Sequence, residues 1–271
     1  MPTVRLSDCE LYYEEYGSGD RCVLSAHVSL TPGDSYQKLL ASQAGLHVYD
    51  IQIRGFGRST HVIEPPVGGW YQTWANDVVQ FARVIGLGRF IYTGVSHGAG
   101  IGWSLALDHP EVLEAFVAVV GGPHDRSTPR GTGMGVGSGG APAPPSFHFV
   151  PTHDPVRRQR QEAIRAHLQD RATAMAPEER AINPGKVFPD LASNEEVAAR
   201  LAQVAVPTLL LYGAQDEIIP VGMALLAARA IPGAKLVLYQ DQSHTMSREI
   251  PERLVSEVRL FLDELATAQA S

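Results

Sequence analysis

The sequence predicts an α/β fold in which an eight-stranded, mostly parallel sheet is flanked by helices and interrupted after its sixth strand by an insertion. Three observations predict it. Short apolar and β-branched runs alternate with stretches of helical periodicity along most of the chain. The alternation stops at Gly121-Gly122-Pro123 and resumes only near Val206. Finally, polar residues suited to chemistry follow directly after three of the strand-like runs, where ligands gather in parallel sheets.

The elements are justified in chain order. Val4-Arg5-Leu6 and Leu11 to Tyr16 are strand-like runs separated by Asp8, read as a hairpin, and Gly17-Ser18-Gly19-Asp20 closes it before the strand Cys22 to Ala26. A helical stretch around Tyr36 to Ala44 precedes a strand at Leu46 to Ile51. The segment Thr73 to Ile85 places Val78, Ala82 and Ile85 on one helical stripe and ends at Gly86, where a left-handed cap is easiest. Phe90 to Thr93 and Leu113 to Val120 read as buried strands. Beyond the insertion come a strand at Val206 to Tyr212, a helix around Met223 to Ala230, a strand at Lys235 to Tyr239, and an amphipathic helix from Pro251 to about 266.

Residues 1–122 and 200–271 are therefore expected to form one core, with 123–199 as a cap. Within the cap, Arg130 to Pro145 is almost entirely Gly, Ala, Ser, Thr and Pro and is expected to be a mobile loop, whereas Asp154 to Met175 reads as helix.

Composition excludes several function classes. With 271 residues and 44% apolar composition the chain can bury a substantial core. Its net charge of −7 is spread without any Lys/Arg-rich run, so neither nucleic acid nor an anionic membrane is an expected partner. The first residues carry no apolar leader-like stretch, and no run approaches the roughly 18 apolar residues of a bilayer span, so a soluble, cytoplasmic protein is expected. Cys9 and Cys22 are too few for a disulfide framework and read as reduced thiols.

Gly94-Val95-Ser96-His97-Gly98 fits Gly-x-Ser-x-Gly between a strand and a helix, the setting in which a serine is presented on a sharp turn as a nucleophile. Small residues must flank such a turn, and Gly94, Gly98, Ala99 and Gly100 do. A serine there also serves as an ordinary helix cap. What favours chemistry is the order of partners downstream: Asp216 follows one strand and His244 the next, and a serine hydroxyl needs an imidazole base that is itself oriented by a carboxylate. Asp216 also suits a turn or cap, and Glu217 and Asp241 compete for the acid's role.

These motifs, with Gly213 to Asp216, Ser243-His244 and Arg54-Gly55-Phe56-Gly57-Arg58-Ser59, make the chain resemble the α/β-hydrolase superfamily over nearly its whole length outside the cap. The resemblance implies the α/β-hydrolase fold with Ser96 as nucleophile, His244 as base and Asp216 as acid. It also implies an oxyanion hole from the backbone N–H of His97 and of Ser29, with Val28 as the alternative. The family usually carries His-Gly after the third strand, and here the pair is His27-Val28.

His27, Leu30, Met134, Phe147, Phe149 and Met246 are candidate pocket residues, although aromatic and Met side chains more often pack cap onto core. Val150 is a further candidate wall residue. The Gly-rich run 135–140 formally matches a dinucleotide fingerprint but follows no strand and runs into prolines; His124, His148 and His153 match no metal-site spacing. No cofactor and no metal are expected.

The expected reaction is hydrolysis of a small to medium, partly apolar ester or lactone through an acyl-enzyme. Amide and carbon–carbon bond hydrolysis stay open, as does a ligand sensor that keeps the fold. A small-molecule substrate is the expected partner; a homodimer is left open.

Overall fold

The long apolar runs form strands buried on both faces, and their side chains alternate between two cores. In the strand Thr208–Gly213, Leu209 and Leu211 enter one core while Leu210 and Tyr212 enter the other. In Leu113–Val119, Phe116 and Ala118 face one side and Ala115, Val117 and Val119 the opposite one. Continuous apolar sequence is what a parallel sheet covered on both faces requires.

A computed structural model describes residues 2–28, 35–62, 64, 66–127 and 147–270. Its eight strands are β1 (Thr3–Arg5), β2 (Glu10–Tyr16), β3 (Cys22–His27), β4 (His47–Gln52), β5 (Phe90–Val95), β6 (Leu113–Val119), β7 (Thr208–Gly213) and β8 (Lys235–Tyr239). They lie in the order β1-β2-β4-β3-β5-β6-β7-β8. β2 runs antiparallel to β1 and to β4; every other pairing is parallel. This is the α/β-hydrolase fold.

The helices are α1 (Tyr36–Ala44), α2 (Trp70–Val84), α3 (His97–Asp108), α4 (Pro155–Ala174), α5 (Pro177–Ala181), α6 (Asn194–Leu201), α7 (Val221–Ala230), α8 (Met246–Glu249) and α9 (Pro251–Ala270). Residues of α2, α3 and α7 belong to the core with Leu24, Tyr92 and Phe116; those of α1 and α9 belong to the core with Val23, Ile91 and Val117. Ser35 caps α1 through its hydroxyl, and Gly45 ends it at φ 67°, a left-handed conformation that costs glycine nothing.

Between β6 and β7 the chain carries α4, α5 and α6. Asp154 caps α4 by accepting from the N–H groups of Val156 and Arg157, with Pro155 at the first helical position. The Gly/Pro-rich segment lies outside the described residues. No helix among the described residues is long and apolar enough to cross a membrane.

Three core strands end one residue beyond where periodicity put them, because a parallel strand continues as long as its neighbour offers hydrogen bonds. Pairing of Gly213 with Tyr239 extends β7 past Tyr212, and His27 against Gln52 extends both β3 and β4.

Candidate active site

β5 delivers the chain to Ser96, which closes the strand at φ 55°, ψ −113° before α3 begins at His97. A side chain in that region of backbone space is strained and persists only where the surroundings over-determine it. The Ser96 N–H donates to the Val119 carbonyl at 2.9 Å, and its carbonyl accepts from the Gly100 N–H at 3.1 Å. A Cβ on Gly94 would stand 2.1 Å from the Gly98 backbone, and one on Gly98 would stand 2.5 Å from the Ala26 carbonyl oxygen. A Cβ on Gly121, at the end of the neighbouring strand, would lie 2.0 Å from the Ala99 Cβ. Tyr92 and Trp103 brace the turn by donating to the Gly98 and Gly121 carbonyls at 2.9 and 2.7 Å. The Ser96 hydroxyl makes no capping bond to α3.

That hydroxyl instead lies 2.9 Å from His244 Nε2. His244 Nδ1 lies 2.9 and 3.1 Å from the two carboxylate oxygens of Asp216. Asp216 Oδ1 also accepts from the Ile218 and Ile219 N–H groups at 2.8 and 2.9 Å, the turn-capping contacts its residue type allows. The loops carrying Asp216 and His244 are stitched by Ala214 N–H to the Tyr239 carbonyl and Gln215 N–H to the Gln242 carbonyl, each 2.9 Å. A Cβ on Gly213 would strike that Gln242 carbonyl at 2.3 Å, so the two loops meet only across a glycine. The competing acids sit elsewhere: Asp241 pairs with Arg157, and Glu217 accepts from the His148 N–H.

The surroundings are aromatic and electrically quiet. Phe147 stacks on the His244 ring at 5.8 Å and 11°, and Tyr71 stacks on His97 at 6.4 Å and 16°. Burial, reinforced by His244 and Arg171, pushes the His97 pKa down to about 4. His124 is pushed down to about 3, chiefly by burial, and its Nδ1 accepts the Val187 N–H at 3.0 Å. Both imidazoles are neutral at pH 7, and both N–H groups and lone pairs are held in a low-dielectric setting.

The other expected site residues divide. His27 pairs through Nε2 with the Asp50 carboxylate at the ends of β3 and β4, and so is held by the core. Val28 lines a cavity of about 180 Å³ with Gln52, Gly57, His167, Arg171, Ala174, Met175 and Glu179. Phe149 lies beneath the Arg165 guanidinium, 4.3 Å from its ring centroid. The Val150 carbonyl accepts from Gln161 at 2.9 Å. Ser29, Leu30 and Met134 lie outside the described residues. Met246 is a correction: it has no exposed surface and packs with Ile250, Leu254 and Val258, so it fills the core rather than lining a pocket.

Some surroundings are absent from any local pattern. Arg157 of α4 reaches Glu249 of α8 at 2.8 Å and Asp241 at 2.7 Å, while Gln161 and Thr245 give Glu249 two more hydrogen bonds. This network grips the segment that bears His244, and its partners are too distant in sequence for spacing to reveal. Among the described residues, one cluster has three potential metal donors, Asp8, Cys9 and Asp77. There the Arg54 guanidinium already bridges both carboxylates.

The chain is similar to 2-hydroxymuconate semialdehyde hydrolase of Pseudomonas putida, 29% identical over 78% of this chain and 74% of that protein. Among solved structures it resembles Est816, described as an N-acyl homoserine lactone degrading enzyme, with TM-score 0.71 and 24% identity over 96% of this chain and all of that one. It also resembles the enol-lactonase of Burkholderia xenovorans LB400, with TM-score 0.68 and 17% identity over 97% of this chain and 100% of that one. Residues 34–251 match the model of the family described as serine aminopeptidase, S33, and the chain is accordingly a member of that family of α/β-hydrolases.

Proposed function

We propose that Ser96, His244 and Asp216 are the catalytic triad of a serine hydrolase that cleaves a small to medium, partly apolar carboxylic ester or lactone. The observation that carries this reading is the unbroken chain from Ser96 Oγ to His244 Nε2 at 2.9 Å and from Nδ1 to Asp216 at 2.9 Å. Ser96 Oγ attacks the acyl carbonyl while Nε2 takes its proton; the imidazolium then protonates the leaving oxygen, and water releases the acid from the acyl-enzyme by the same route. Asp216 holds the tautomer in which Nδ1 carries hydrogen and Nε2 is the base. The oxyanion is received by the N–H of His97 and by that of Ser29 or Val28, and such donors are worth about 3 to 4 kcal/mol each. A serine nucleophile argues against epoxide and haloalkane chemistry.

A second reading is carbon–carbon bond hydrolysis, favoured by the 29% identity to the 2-hydroxymuconate semialdehyde hydrolase. Treatment with a fluorophosphonate and with short-chain p-nitrophenyl esters tests the triad, with Ser96→Ala as control. Labelling and turnover lost together in the variant are expected. An unmodified chain that neither labels nor turns over would overturn the reading in favour of a ligand sensor.

A further inference from the structure

The proposed triad leaves a buried imidazole unused. His124 closes the segment that follows β6, and that segment is tightly held. Val120 sits at φ 42°, a conformation that a β-branched residue keeps only where its surroundings impose it. Gly121 packs so closely on the nucleophile turn that a Cβ there would lie 2.0 Å from the Ala99 Cβ and 2.9 Å from the Ser96 carbonyl oxygen. The Gly121 and Gly122 carbonyls accept from Trp103 and Tyr212. The chain therefore leaves the Ser96 turn in a fixed direction and carries His124 with it.

The ring itself has one allowed state. Nδ1 accepts the Val187 N–H at 3.0 Å, so the proton of the neutral imidazole is on Nε2. Burial, reinforced by His97, Arg126, Lys186 and His244, keeps the ring neutral. A charge on His124 is opposed by charge on His97 and on His244, which places the three imidazoles in one buried region. Among the described residues nothing accepts from His124 Nε2–H. That atom is nonetheless not sealed in, because the fully buried side-chain nitrogens and oxygens without a partner among the described residues belong to Arg21, His167 and Gln242. A ring only 8% exposed thus turns its one donor to accessible space, next to a turn where Ser96 and His97 are themselves only partly buried.

Strand order decides which part of a substrate such a donor meets. β3 and β6 flank β5 on opposite sides. The oxyanion donors of the hydrolase reading belong to the turn after β5 and to the segment after β3, whereas His124 follows β6. An acyl oxygen drawn toward β3 leaves His124 for a different oxygen. A neutral imidazole polarises a carbonyl or ether oxygen but brings no charge to offset the burial of a carboxylate. Resting on the hydrolase reading above, we propose that His124 Nε2–H is a substrate-binding donor that selects esters or lactones carrying a second, uncharged carbonyl or ether oxygen on the side of the scissile carbonyl away from the oxyanion hole.

The test uses p-nitrophenyl 4-oxopentanoate and p-nitrophenyl pentanoate, which differ by one carbonyl. The ratio of their kcat/KM values is compared in the unmodified protein, His124→Asn and His124→Gln, so that the intrinsic reactivities of the two esters cancel. Both replacements keep an amide oxygen for the Val187 N–H, but only glutamine carries an N–H as far out as Nε2. Asparagine is expected to lower the ratio about five- to tenfold, the worth of one neutral hydrogen bond, and glutamine to restore part of it. In the Ser96→Ala protein, methyl 4-oxopentanoate is expected to move the His124 Nε2–H proton resonance downfield and methyl pentanoate to leave it in place. A ratio unchanged in His124→Asn, or a resonance that responds alike to both esters, would overturn the proposal, and the resonance decides alone if the asparagine variant does not fold. Failure of the hydrolase reading looks different, because the unmodified chain then neither labels with a fluorophosphonate nor turns over either ester.

Discussion

Replacing Arg157 by Met tests whether the α4 network clamps the segment that bears His244. The guanidinium is 6% exposed and the Glu249 side chain not at all, so the change leaves a carboxylate buried without its counter-ion. Breaking such a pair from one side costs about 3–5 kcal/mol. Gln161 and Thr245 still donate to Glu249 at 2.7 and 2.5 Å, which places the cost near the lower end. The second pair, to Asp241, is half exposed and adds at most about 1 kcal/mol. The expected loss is therefore about 3–4 kcal/mol, or roughly 6–16 °C in Tm for a chain of this size. Urea unfolding followed by fluorescence of Trp70, Trp74 and Trp103 measures it directly. If the loss arises from the stranded charge, Glu249→Gln in the same chain must recover most of it, since an amide costs far less to bury. A single variant within 1 kcal/mol of the unmodified protein, or a double variant as unstable as the single, would refute the reasoning.

Two further outcomes follow from the geometry. His124 stays neutral in the folded protein down to about pH 3, whereas the unfolded chain protonates it near the usual histidine value of about 6.5. Between those limits the unfolded state binds the extra proton, so its contribution to stability is full above about pH 6.5 and is lost as pH falls. His124→Gln, whose amide oxygen can still accept the Val187 N–H, is expected to lower the acid slope of unfolding free energy by up to about 1.4 kcal/mol per pH unit; an unchanged slope in urea titrations from pH 7 to 4 would contradict it. Gly98→Ala places a methyl 2.5 Å from the Ala26 carbonyl oxygen and must push α3 from β3. A loss of about 1–3 kcal/mol is expected together with reduced fluorophosphonate labelling of Ser96; unchanged labelling would show that the turn tolerates the shift.

Much of this protein could be read along the chain. Apolar runs alternating with helical periodicity determined the parallel sheet and its flanking helices, because each strand is buried on both faces and each helix on one. Ser96, Asp216 and His244 were legible because each follows a strand directly, and the glycines around Ser96 reflect a local steric demand. Local pattern could not reveal what depends on distant partners. His244 meets Asp216, whereas Asp241 pairs with Arg157 of α4, a partner 84 residues away. That Met246 belongs to the core, and that Arg171 and His167 share a cavity with Val28 and Gly57, follows from how α4 and α8 lie on the sheet. Backbone propensity and burial act within a few residues and leave their mark on sequence periodicity. Charge pairing and cavity shape act between segments about a hundred residues apart, and only the tertiary structure brings them within reach of one another.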